Sequence, residues 1–165
     1  MKSVRTTLHT LLDVAVTKTA SYAPVAIDFN LDRFEELVVE LQITAADAGG
    51  TYDFYLITGS GDPGSMLAEW DLVHFTQQAS TSAHTYVARV RSDLLPQTVT
   101  TAAPGVSAVD SATLSVAASA TNAPKSIAAG SVRHGAFGNT LRYELVAAGT
   151  ITTGVTYSLR VQARY

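Results

Sequence analysis

The sequence predicts an all-β protein built as an antiparallel β-sandwich of the jelly-roll kind. Three observations lead there. The C-terminal segments Leu141–Leu145 and Tyr157–Gln162 alternate apolar and polar residues, the period-two pattern of strands with one buried and one wet face. Turn-forming residues recur at short intervals, and no stretch reads as a secure helix. The count comes to roughly eight to ten short strands, which favours a two-layer sandwich or jelly roll over the barrel that stands second.

Residues 1–24 read as an N-terminal arm, with a short strand candidate at Leu11–Val16 and a loop from Lys18 to Pro24. Residues 25–165 read as a single sandwich domain. Val25–Phe29 is a brief strand, and Asn30–Phe34 turns the chain through Asn and Asp, which bond their own backbone. Glu36–Thr44 is the clearest early strand. Leu37, Val39, Leu41 and Ile43 take one face, and Glu36, Val38, Glu40 and Gln42 the other. A helix over Asp32–Gln42 is opposed by that alternation and by β-branched Val38, Val39, Ile43 and Thr44.

Asp47-Ala48-Gly49-Gly50 reads as a hairpin turn. Thr51–Thr58 follows, with Tyr52, Phe54 and Leu56 on one face and Asp53, Tyr55 and Ile57 on the other. Gly59-Ser60-Gly61-Asp62-Pro63-Gly64 reads as a wide connecting loop. Trp70–Gln77 and Thr85–Ser92 are two further strands joined by a polar stretch. In the first, Trp70, Leu72 and His74 are expected on one face and Asp71, Val73 and Phe75 on the other. Composition shifts to Ala, Ser, Thr, Pro and Gly over about 93–130, an insertion-like region with weak strand patterns at Ser111–Ser119 and Lys125–His134.

Charge is scarce. Charged residues make up 15% of the 165-residue chain, below the roughly 25% usual for soluble domains. A bland exterior on an open sandwich leaves pairing-competent strand edges, a liability that neighbouring subunits can cover. The net charge of −3 and the scattered arginines give no footprint for nucleic acid. The chain has no cysteine, which removes disulfides, thiolate catalysis and thiolate zinc sites. Residues 1–9 lack the apolar core of a signal peptide, and no apolar run approaches the roughly 20 residues of a membrane helix.

Chemical motifs are weak. Gly59–Gly64 has G-x-G-x-x-G spacing, but a dinucleotide site needs a helix starting at the last glycine, and here Pro63 and a Trp-led strand follow. His74 and His84 could face each other across consecutive strands, yet two imidazoles fall short of the three or four ligands of a zinc site. Asp62 and Asp71 lack the repeated acid spacing of calcium loops. Glu36, Glu40 and Glu144 read as solvated faces, and no Gly-x-Ser-x-Gly turn occurs. The expectation is a protein with no catalytic residues, no metal and no cofactor.

The run Tyr52-Asp53-Phe54-Tyr55-Leu56-Ile57-Thr58, the Gly-rich loop after it, Trp70-Asp71-Leu72-Val73-His74-Phe75, Gly138–Leu145 and the final strand together resemble small virion proteins of tailed bacteriophages, of the jelly-roll capsid decoration or cement type. The resemblance covers roughly Glu36–Tyr165, with a gap over the insertion. It implies a homotrimer on the outside of the head, made in the host cytoplasm, that fastens neighbouring capsomers of the major capsid protein. It supplies no active-site residue.

Beside it stands the arm. Leu8, Leu11 and Leu12 precede the core strands and are the candidate capsid or subunit contacts of a strap that orders on binding. Two other readings remain open. In a glycan-binding module of a tail or receptor-binding assembly, Trp70 would be an exposed stacking platform. A hydrolase would need two carboxylates in a deep cleft.

Overall fold

The computed structural model describes residues 6–24, 26–28, 33–62, 65–92, 97–100, 127–135 and 137–165; for 6–14, 27, 65–67 and 97–100 the description is of the backbone alone. Among the described residues ten strands follow in chain order: β1 (Thr6–Lys18), β2 (Ile27–Asp28), β3 (Glu36–Ala45), β4 (Gly50–Asp62), β5 (Ser65–His74), β6 (His84–Arg91), β7 (Gln97–Thr100), β8 (Ser131–His134), β9 (Thr140–Gly149) and β10 (Val155–Arg164).

They form two sheets, ordered β1-β10-β3-β6 and β2-β9-β4-β5-β8-β7, with every pairing antiparallel. The first strand pairs with the last, the second with the ninth, the third with the sixth and the fourth with the fifth. Successive pairs fall in alternate sheets. That is the order of a jelly roll, a long hairpin rolled into two four-stranded layers. β7 and β8 are additions between the sixth and ninth strands, and they extend the second layer beyond β5. The sheets stay separate, so the barrel reading does not hold.

The core lies where the alternation placed it. Leu37, Val39, Leu41 and Ile43 of β3 are buried and face Tyr52, Phe54 and Leu56 of β4 in one cluster with Leu141, Tyr143 and Leu145 of β9 and Val155, Tyr157, Leu159 and Val161 of β10. Phe54 and Tyr157 meet edge to face, with ring centroids 4.7 Å apart, a favoured aromatic geometry.

Four expectations are corrected. Asp47–Gly50 is no hairpin turn: β3 and β4 lie in different sheets, and the segment is an arch between layers. A glycine-rich reversal reads the same whether the chain returns beside itself or crosses the sandwich. This arch packs on the Thr150–Gly154 arch that joins β9 to β10. Thr150 donates its N–H to the Gly49 carbonyl at 2.9 Å, and a Cβ on Gly49 would fall 2.4 Å from the Thr150 carbonyl oxygen.

Gly59–Gly61 is no loop either. β4 runs on to Asp62 and pairs with both β5 and β9. Glycine is needed in this strand region because backbones crowd there: a Cβ on Gly138 would sit 2.0 Å from the Gly59 carbonyl oxygen. The third correction concerns β5. Its register against β4 slips between Leu56 and Ile57, which pair with Val73 and Asp71. Leu72 is the extra residue of a β-bulge. Past it the faces exchange, so Val73 is in the core cluster with Leu72 and partly buried Trp70, while Asp71 and His74 lie on the outer side, opposite Ile57 and Tyr55.

The fourth is the N-terminal segment. The strand there is thirteen residues long, far more than Leu11–Val16. β1 hydrogen-bonds along β10, with Leu8 opposite Gln162 and Leu12 opposite Leu159. Of the insertion read at 93–130, residues 93–96 and 101–126, including the Ser111–Ser119 pattern, lie outside the described residues.

Candidate functional site

The outer face of the six-stranded sheet departs most from the simple sandwich pattern. Residues on that side should be wet, yet Tyr55, Ile57, Asp71 and His74 are all buried, Ile57 and Asp71 completely. Part of the cover is Ile127, itself 7% exposed. The backbone of this residue is gripped on both sides of its Cα by β5 side chains. The Ile127 N–H donates to Asp71 Oδ2 at 3.2 Å, and its carbonyl lies 2.8 Å from His74 Nδ1.

His74 Nε2 lies 2.9 Å from Asp53 Oδ1, and the amide of Gln77 donates to Asp53 Oδ2 at 2.7 Å. The imidazole stacks on the Tyr55 ring with centroids 4.0 Å apart. Burial pushes the Asp53 carboxyl up, but the hydrogen bonds from His74 and Gln77 and the His74 charge outweigh it and hold the carboxyl below its ordinary value. Burial, with help from Asp53, Asp71 and Glu144, pushes the Tyr55 phenol up to about 12. Burial lowers Arg133 of β8, and the charge of Asp71 opposes that shift.

Alongside runs a second ionic group. Arg142 of β9 forms a two-pronged pair with Glu69 of β5, Nε to Oε1 at 2.8 Å and Nη2 to Oε2 at 2.7 Å, and reaches Glu144 at 3.0 Å. The hydrogen bond to Glu69, above all, raises Arg142 despite its burial. Such planar pairs fix geometry as well as charge. They link β9 to β5 across β4, so this face is braced.

Chemically the cluster is closed. Both nitrogens of His74 and both oxygens of Asp53 are engaged, so neither offers a free base to a substrate. Among the described residues no group of three or more His, Cys, Asp or Glu could hold a metal ion. A cavity of about 20 Å³ lies between Val73–Thr76, Tyr86–Ala88 and Gly130–Val132, room for one water.

The pairs weighed from sequence are not brought together. His74 and His84 belong to different sheets, and His84 sits 3.4 Å from the Ser80 hydroxyl. Asp62 ends β4 opposite Ser65, whereas Asp71 faces Ile57 and holds Ile127. Trp70 packs against the core and is no exposed platform. Glu36 and Glu40 do line an outer face, that of the four-stranded sheet, where Glu36 meets Arg164 at 3.2 Å and Glu40 meets Arg160 at 3.5 Å. Glu144 is drawn into the Arg142 group. The backbones of Leu8, Leu11 and Leu12 lie in β1 at the sheet edge; their side chains are outside the described residues.

Sequence reasoning missed the Asp53–His74–Gln77 group and its grip on Ile127, because the bulge at Leu72 decides which way His74 points. One signal was present. Tyr55 and Ile57 are large apolar residues on the polar side of β4, the mark of a strand covered on both faces.

The architecture is thus that of a jelly-roll β-sandwich. No family model matches the chain, and no curated protein matches it. Among solved structures it is similar to a chain in the structure of infectious bursal disease virus Gx strain, with a TM-score of 0.43 and 10% identity over 98% of this chain and 31% of that one. The protein therefore spans less than a third of that chain's length.

Proposed function

We propose that this chain is a structural protein of a tailed-bacteriophage virion. It is a decoration protein that sits as a homotrimer on the outside of the head and staples capsomer boundaries of the major capsid protein. The observation that carries this reading is the sheet order, since the jelly roll is an architecture of capsid and lectin domains. Three features agree with it: the sparse charge, the closed polar cluster in place of a reactive cleft, and a four-stranded sheet whose outermost strands among the described residues are β1 and β6. The chain acts by non-covalent contact, with no catalysis and no cofactor, and multivalent attachment multiplies weak contacts. The lectin alternative loses its anchor, because Trp70 is packed against the core.

β1 is the strap, with Leu8, Leu11 and Leu12 as its contacts. Heads of the phage that encodes the chain, stripped of it, should bind the added protein in a saturable way on pelleting. Replacing Leu8, Leu11 and Leu12 by Ser should lower that loading at least about tenfold, the effect of losing a few buried apolar contacts. No binding by the wild type contradicts the function. Equal loading by a folded Ser variant contradicts only the strap.

A further inference from the structure

We propose that His74, with Asp53, forms a protonation-dependent clip that holds the Ile127 peptide on the outer face of the six-stranded sheet. The argument is one of donors and acceptors. Nδ1 faces the Ile127 carbonyl at 2.8 Å and Nε2 faces the Asp53 carboxylate at 2.9 Å. Both neighbours are acceptors. An imidazolium donates to both at once, whereas each neutral tautomer sets one nitrogen lone pair against an oxygen. The side chain is 8% exposed, so the mismatch is poorly relieved by solvent. Histidine changes charge between about pH 5 and 8, so the clip closes on the acidic side and loosens on the alkaline side.

Charged and titratable groups lie around the ring. Asp53 and Tyr55 of β4 face it, the latter in a stack. Asp71 of β5 holds the N–H of the same residue, Ile127. Arg133 of β8 interacts with Asp71, and Glu144 of β9 interacts with Tyr55. His134 of β8 behaves in the opposite sense: its Nδ1 accepts the Arg91 N–H at 3.0 Å, so protonation there breaks a bond. A change of sign therefore separates the two histidines.

Amide hydrogen exchange of the full chain tests the clip, read at Ile127 from pH 5.5 to 8.5 and corrected for intrinsic exchange, with β3 and β10 amides as the measure of global stability. Protection at Ile127 should fall on the order of tenfold toward pH 8.5, the effect of losing a charge-assisted hydrogen bond, while the reference amides hold. Asp53→Asn supplies the second arm. Its amide nitrogen can donate to a neutral His74 and its oxygen still accepts from Gln77, so the clip should stay closed at pH 8.5 and the alkaline loss should vanish. Protection that is flat with pH in the wild type overturns the proposal, and so does an Asp53→Asn profile identical to that of the wild type.

Discussion

Asp47 shows how much one exposed side chain can organise. Its Oδ2 accepts the N–H groups of Thr152 and Thr153 at 2.5 and 2.7 Å, and its Oδ1 accepts that of Gly49 at 3.1 Å. One carboxylate thus ties together the two arches that carry β3 into β4 and β9 into β10. The backbone donors, Thr153 first, hold its carboxyl far below the ordinary carboxylate range. A group whose folded pKa is depressed stabilises fully above its unfolded pKa, about 3.9, and loses that contribution as pH falls toward the folded value. Asp47→Ala should therefore lower the urea midpoint at pH 7, and the gap from the wild type should close only below about pH 4. A gap that is unchanged at pH 2, or absent at pH 7, contradicts this role. The sequence marked Asp47 as a turn residue, and that was right as far as local chemistry goes. Its partners at Thr152 and Thr153 lie about a hundred residues away, where no local pattern reaches.

At the scale of elements, strands were legible wherever one face met the core and the other met water. β3, β9 and β10 follow their alternation almost residue by residue. Legibility failed where glycine serves packing. Gly59 and Gly61 read as loop because glycine is a turn signal, yet both lie within β4, and it is the missing Cβ of Gly138 that lets the entry to β9 approach the Gly59 backbone. Gly138→Ala should force that approach apart at a cost of about 1–3 kcal/mol, as overpacking does. Urea unfolding measures it, and a change under about 0.5 kcal/mol, the scatter of neutral surface substitutions, would show that the backbones can part freely. The bulge in β5 was illegible for another reason. One inserted residue leaves composition and length untouched but exchanges the two faces beyond it, so Val73 and His74 changed sides relative to Trp70 and Asp71 without any trace in the pattern.

The whole molecule was legible as a class and not as a path. Many short alternating strands and low charge pointed to a jelly-roll sandwich, and the pairings of β1 with β10, β2 with β9, β3 with β6 and β4 with β5 make it one. Which reversals are hairpins and which cross between layers is set by long-range pairing, and turn residues do not encode it. The two outer faces also differ. The four-stranded sheet carries exposed ion pairs of little energetic weight, while the six-stranded sheet is braced by partly buried ones and partly covered by Ile127. Electron cryo-microscopy of purified virions of the phage proposed to encode the chain tests the central proposal most directly. The account predicts threefold density outside the head shell at capsomer junctions into which three copies of this jelly roll fit; virions whose head surface and protein content lack the chain would contradict it.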